Sequence, residues 1–181
     1  MALLTAPTGV CRTPGDWLRV IEYTAASTIT AFGSDERFKV GKVKYEVGGA
    51  VGPDEACLGV LCLDVANWTA TGDPWPNPRR PDGPSEPCGA AVSMNVVLRY
   101  VTCVPSMQTS GAPPAEAAAA AAHLDIMDLA WAVFEAFLSA EKPYQRSYGR
   151  FRTGLLNRLP DGAGASGFTM QIACKLATQG C

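Results

Sequence analysis

The sequence predicts an α/β (α+β) fold, a small and mainly antiparallel sheet with two packed helices and long loops. Three observations predict it. The run Ala56-Cys57-Leu58-Gly59-Val60-Leu61-Cys62-Leu63-Asp64-Val65 is almost wholly apolar, as a strand covered on both faces should be. Residues 90–104 alternate in part, with Val92, Met94, Val96, Leu98 and Tyr100 on one side, and suit a strand paired with the first. Residues 114–140 open on a proline and an acid, then run through six alanines, which is strong helix chemistry.

Each element has its own signal. Residues 1–13 read as an irregular arm. Thr13-Pro14-Gly15-Asp16 then offers a cap and a proline at the first helical position, and Trp17, Val20, Ile21, Thr24 and Thr28 recur at helical spacing, so a helix is expected over 14–31. Residues 37–52 suit a β-hairpin arm, with alternation across Lys42-Val43-Lys44-Tyr45-Glu46-Val47. Residues 70–87 hold six prolines and must be a long surface loop, because proline cannot serve in a central ladder. Trp75 stands at its tip, either as an anchor for a partner or folded back onto its own domain. In the long helix, His123, Met127, Ala130, Trp131, Phe134 and Leu138 follow a 3–4 spacing and are expected to face the core, with Pro143 marking the end. Residues 142–166 read as a basic and glycine-rich loop, and residues 168–178 alternate as a closing strand.

Composition bounds the function. The chain has 181 residues, 48% hydrophobic and 18% charged, with a net charge of −2. That suits one globular domain over 1–181 and gives no global case for nucleic-acid binding. No stretch is read as the roughly 18 apolar residues of a membrane span, and no basic, apolar leader opens the chain. A soluble protein of a reducing cytosol is expected. The seven cysteines are scattered without a CxxC pair, and His123 is the sole histidine, so no zinc site is expected. Cys57, Cys62, Cys103 and Cys174 read as small core residues, with a Cys57–Cys88 bridge as the other possibility.

Little catalytic chemistry survives inspection. Gly162-Ala-Gly164-Ala-Ser-Gly167 matches the dinucleotide fingerprint by letter, but precedes a predicted strand rather than a helix. His123 has no orienting acid at helical spacing, since Asp125 lies two residues on and Asp128 five. No catalytic residue, metal ligand or cofactor is expected, and the chain reads as a non-enzyme. The live motif is basic: Lys142, Arg146, Arg150, Arg152 and Arg158 carry +5 with no acid between 142 and 160, leaving −7 on the rest. Arg146, Tyr148, Arg150, Phe151 and Arg152 interleave cations with aromatics. Such a segment can dock on an acidic subunit, bind single-stranded nucleic acid, or merely offset the chain's own acids. Trp75, Arg79, Arg80, Arg146, Tyr148, Arg150 and Arg152 are the candidate partner or subunit contacts.

A family likeness rests on short motifs. Glu55-Ala-Cys57-Leu-Gly59, Pro87-Cys88 leading into Val96-Val97-Leu98-Arg99-Tyr100-Val101-Thr102-Cys103-Val104-Pro105, then a long helix and Leu159-Pro160-Asp-Gly-Ala-Gly-Ala-Ser-Gly-Phe-Thr-Met-Gln-Ile resemble neck proteins of long-tailed phages of actinobacteria. The resemblance covers residues 54–178. It implies a virion structural protein, a tail terminator assembled in the host cytoplasm. Such a subunit forms a ring, taken as a homohexamer, that caps the tail tube. Its implied partners are further copies of itself, the major tail tube protein and the head connector or stopper, with genomic DNA passing through the lumen and no membrane. The alternatives are a head-closure protein of the same neck, or a cytosolic nucleic-acid module acting through residues 142–158.

Overall fold

The computed structural model describes residues 7–32, 38–45, 51–71, 75, 91–105, 115–162 and 165–176. The elements run α1 (Pro14–Ala31), β1 (Lys42–Lys44), α2 (Pro53–Ala56), β2 (Val60–Thr71), β3 (Ala91–Cys103), α3 (Glu116–Ser147), β4 (Phe151–Gly162) and β5 (Ala165–Leu176). The fold is α/β, and its five-stranded sheet has the order β1-β2-β3-β5-β4. Every pairing is antiparallel except β1 with β2.

Helix α1 begins as its cap predicts. Thr13 Oγ1 accepts from the Asp16 amide while the Asp16 carboxylate accepts from the Thr13 amide, a closed capping box. The Thr13 and Arg12 amides, both donating to Asp16 Oδ2, hold that carboxyl below its ordinary range. Trp17, Val20, Ile21, Ala25 and Ile29 then turn inward.

Strands β3 and β5 form the middle of the core. Met94, Val96, Leu98 and Tyr100 alternate with outward residues on β3, and Phe168, Met170, Ile172 and Cys174 do so on β5. These eight side chains share one apolar cluster with the buried faces of α1 and α3, which fixes both helices on that side of the sheet. The aromatic pairs Trp17–Phe151 and Phe137–Phe151 lock α1 and α3 to the start of β4.

Several expectations are corrected. Residues 151–162, read as loop, form edge strand β4. Arg152, Arg158 and Pro160 disguise it, and register shifts at Thr153/Leu156 and Leu159/Gly162 break the alternation. Charges, a proline and bulges are how an exposed edge avoids unwanted pairing. Of the expected hairpin at 37–52, the described residues show one strand, β1, which pairs parallel with β2, while residues 37 and 46–50 lie outside the described residues. The apolar run at 56–65 starts with the end of α2 and a turn, and β2 proper begins at Val60. Pro143 does not end α3. Tyr144 packs on Tyr148 and Phe151, and its hydroxyl meets Thr24 Oγ1 at 3.0 Å, so tertiary contacts outweigh the lost backbone bond. Gly149, at φ 129°, then turns the chain into β4.

The cysteine reading also changes. Cys57 and Cys103 form a disulfide with a Cα–Cα distance of 4.7 Å, which excludes a Cys57–Cys88 bridge. Pairing of the strands carries the end of β3 back to the turn before β2, where the two sulfurs meet. Cys62 and Cys174 are buried and form no disulfide, as core residues should be, and Cys11 is buried likewise. Burial pushes the Cys11 thiol up to about 12. The arm at Cys11 is not loose: its amide donates to the Tyr148 carbonyl, and Tyr148 Oη donates to the Pro7 carbonyl.

Candidate functional site

Helix α3 carries two apolar stripes. Ala122, Ile126, Leu129, Ala130, Val133 and Phe137 are buried against the sheet. Leu124, Met127, Trp131 and Leu138 lie on a second face and are exposed, Trp131 by 59% and Leu124 by 66%. Phe134 is half-buried between the two stripes and its ring meets that of Trp131 at 5.8 Å. The expected core stripe of His123, Met127, Ala130, Trp131, Phe134 and Leu138 is therefore corrected: of these, only Ala130 is buried. Periodicity shows that stripes exist but not which one meets the sheet, and small residues at Ala122 and Ala130 permit the closer approach.

Two contacts orient the exposed stripe. Arg158 Nη2 donates to His123 Nδ1 at 2.8 Å, and the Thr153 amide donates to Glu141 Oε1 at 2.9 Å. Residues 123 and 141 thus face β4, and the stripe one step round the helix overhangs that edge of the sheet. Leu155, exposed by 66%, stands at the β4 bulge, opposite Gln171 of β5. From Glu116 to Glu141 the helix carries Glu116, Asp125, Asp128, Glu135 and Glu141 and no lysine or arginine.

The basic motif divides between helix end and edge strand. Lys142 and Arg146 lie exposed on the last turns of α3, Arg150 in the connection, and Arg152 and Arg158 exposed on β4. The aromatics interleaved with them are not stacking platforms. Phe151 is buried in the core, and Tyr148 is held by its hydroxyl bond to Pro7 and its ring contact with Tyr144. Only Phe151 and Arg152 of these residues lie on a strand, one facing in and the next out, while Arg146 and Tyr148 belong to the end of α3.

Of the candidate contact residues, the fold brings three together. Trp75, Arg150 and Arg152 line a pocket of about 230 Å³ with Glu141, Lys142, Gln145 and Phe151. Trp75 is 8% exposed, so it is folded back onto its own chain rather than presented as an anchor. Arg146 and Tyr148 stand apart from that pocket, while Arg79 and Arg80 lie outside the described residues. Sequence reasoning missed Leu124, Met127, Trp131 and Leu138 as surface residues. The signal was available: apolar residues cover more of α3 than one face can bury.

Among the described residues, no group of three or more His, Cys, Asp or Glu side chains is placed to hold a metal ion. The glycine-rich fingerprint lies across the β4–β5 connection, where Gly162 pairs with Ala165 and a strand follows, so it lacks the helix that would meet a pyrophosphate. Helix α3 is long and apolar enough, by length and mean hydropathy, to cross a membrane, contrary to the expectation that no stretch was. Its inner stripe is nonetheless part of the domain core. No protein-family model matches the chain, and no curated protein is significantly similar to it.

Proposed function

We propose that this chain is a structural subunit of a phage neck, a tail terminator whose copies form a ring capping the tail tube below the head connector. The observation that carries the reading is the exposed stripe of Leu124, Met127, Trp131 and Leu138 on the longest helix. Aligned apolar side chains of this size on a folded domain mark a surface that is covered in use. A ring subunit needs such surfaces on its flanks, and a heterologous contact that closes on itself generates the ring. The resemblance of the sequence motifs to those of phage neck proteins suggests the class of assembly. The tail tube protein, the connector or stopper, and DNA in the lumen are its proposed partners.

The test combines solution mass, electron-microscopy class averages and a capping assay on purified tail tubes. Closed rings near six times the 19.0 kDa chain, bound at tube ends, are the expected result. A protein that neither forms rings nor binds tube ends would overturn the reading.

A further inference from the structure

Helix α3 runs past Pro143 to Ser147, Gly149 turns the chain, and β4 starts at Phe151. The last turns of the helix and the first residues of the strand therefore form a corner, and the pocket of about 230 Å³ lies in it, with Trp75 as a further wall. Lys142 and Gln145 line it from the helix, Arg150 from the connection and Arg152 from the strand.

Three cations and one acid line this pocket. The acid, Glu141, is already engaged, since its Oε1 accepts from the Thr153 amide at 2.9 Å. Among the described residues, no acid forms an ion pair with Lys142, Arg150 or Arg152. The surroundings add to the excess. Arg146 lies one turn beyond Lys142, and Lys175 lies on β5, where its amide donates to the Arg150 carbonyl. The next acid up α3 from Glu141 is Glu135, about 9 Å along the axis. Trp75 is 8% exposed, and its indole Nε1–H is buried without a hydrogen-bond partner. A buried donor left unmet calls for an acceptor that the chain does not supply.

We propose that this pocket binds a dianionic phosphate group, as the free ion or as a small phosphate monoester. Lys142, Arg150 and Arg152 hold its charge, with the Trp75 indole and the Gln145 amide as neutral donors. Two guanidinium forks beside an ammonium suit an oxyanion with several acceptor oxygens. The three cations exceed the one acid by two charges, which matches the roughly −1.5 to −2 of a phosphate monoester at pH 7. A carboxylate or a phosphodiester carries a single charge. The pocket is smaller than the roughly 300–1,000 Å³ that hold whole drug-sized ligands, so any organic part is small. A nucleic-acid backbone needs a groove of cations, and Arg158, the next cation along β4, turns to His123 instead. The site does not depend on ring assembly.

The experiment is calorimetric titration of the full chain, at fixed ionic strength, with inorganic phosphate, glycerol 3-phosphate, dimethyl phosphate and a short oligothymidylate. Inorganic phosphate or glycerol 3-phosphate should bind one-to-one and roughly tenfold or more tighter than dimethyl phosphate, and the tighter of the two identifies the source. Each variant is checked by thermal melting to remain folded. Arg150→Gln/Arg152→Gln should weaken binding roughly tenfold or more, and Trp75→Phe, which keeps a ring but removes the donor, about threefold. The control Arg146→Gln/Arg158→Gln removes two charges outside the pocket and should change affinity less than about twofold. Equal loss in the control would mean diffuse attraction to a basic surface and overturn the proposal. So would unchanged affinity in Arg150→Gln/Arg152→Gln or in Trp75→Phe. An oligothymidylate bound more tightly than either phosphate, and released by both double variants, would make the ligand a nucleic-acid backbone and overturn it. No binding of any probe at millimolar concentration also overturns it.

Discussion

Cys57 and Cys103 are bonded across 46 residues of sequence, tying the turn before β2 to the last residue of β3. The bond encloses β2, β3 and the segment between them. Closing a loop of that length restricts the unfolded chain and contributes about 2–4 kcal/mol. Reduction, or replacement by Cys57→Ser/Cys103→Ser, should lower unfolding stability by that amount in denaturant titrations. Equal midpoints with and without reductant would show that the bond does not constrain the chain. Cys11, Cys62 and Cys174 are buried and should resist alkylation in the native state throughout.

The two stripes of α3 should respond oppositely to substitution. Phe137 is 1% exposed and packs edge-on against Phe151, so Phe137→Ala should cost about 3–5 kcal/mol. Trp131→Ala removes a side chain that mostly meets solvent and should change monomer stability by less than about 1 kcal/mol. Its effect should appear in self-association instead. A large loss of stability for Trp131→Ala would mean that the outer stripe belongs to the monomer's core.

How much was legible follows from which signals are local. Helix α1 was readable to its ends because Thr13, Pro14 and Asp16 form a cap within four residues. The strand at 91–103 was readable because Met94 to Tyr100 alternate without a break. Strand β4 was hidden because an edge strand buries little: Phe151 and Leu156 pack on the core, Arg152 and Leu155 do not, and Arg158 reaches only as far as His123 at the rim of α3. The outward face of α3 was hidden because choosing between two stripes depends on what packs below, which is tertiary information. The candidate site was half visible. Arg150 and Arg152 were named, but their grouping with Trp75 and Lys142 depends on a helix running past Pro143.

Glu55 should titrate well below an ordinary glutamate. Lys42 Nζ lies 2.6 Å from one carboxylate oxygen and Lys44 Nζ 2.7 Å from the other, and these bonds lower its pKa to about 2. The folded value lies below the ordinary 4.5, so the link between β1 and α2 is fully present above pH 4.5. It is lost as the pH falls toward 2. A carbon-detected NMR titration should place the Glu55 midpoint near 2, with the Lys42 and Lys44 amides shifting in step. A midpoint at 4.5 would mean that the lysines do not hold the carboxylate in solution.

Gly59 joins that corner to the core, and its backbone leaves no room for a side chain. Its φ is +72°, and a Cβ there would run into the Lys39 carbonyl oxygen. Its own carbonyl accepts from the Gly41 and Lys42 amides where β1 begins. Gly59→Ala should therefore destabilise the fold by about 2 kcal/mol or more, from the left-handed conformation and the displaced carbonyl together. The Lys39 carbonyl also accepts from Tyr100 Oη at 3.0 Å, and Tyr100 is buried between the sheet and α1 residues of the same cluster. Tyr100→Phe should cost about 1 kcal/mol in the unmodified chain. In the Gly59→Ala background the carbonyl has already moved, so the same change should cost almost nothing, and the two losses should fall short of adding. Strict additivity in that double-mutant cycle would show that the Lys39 carbonyl does not couple them.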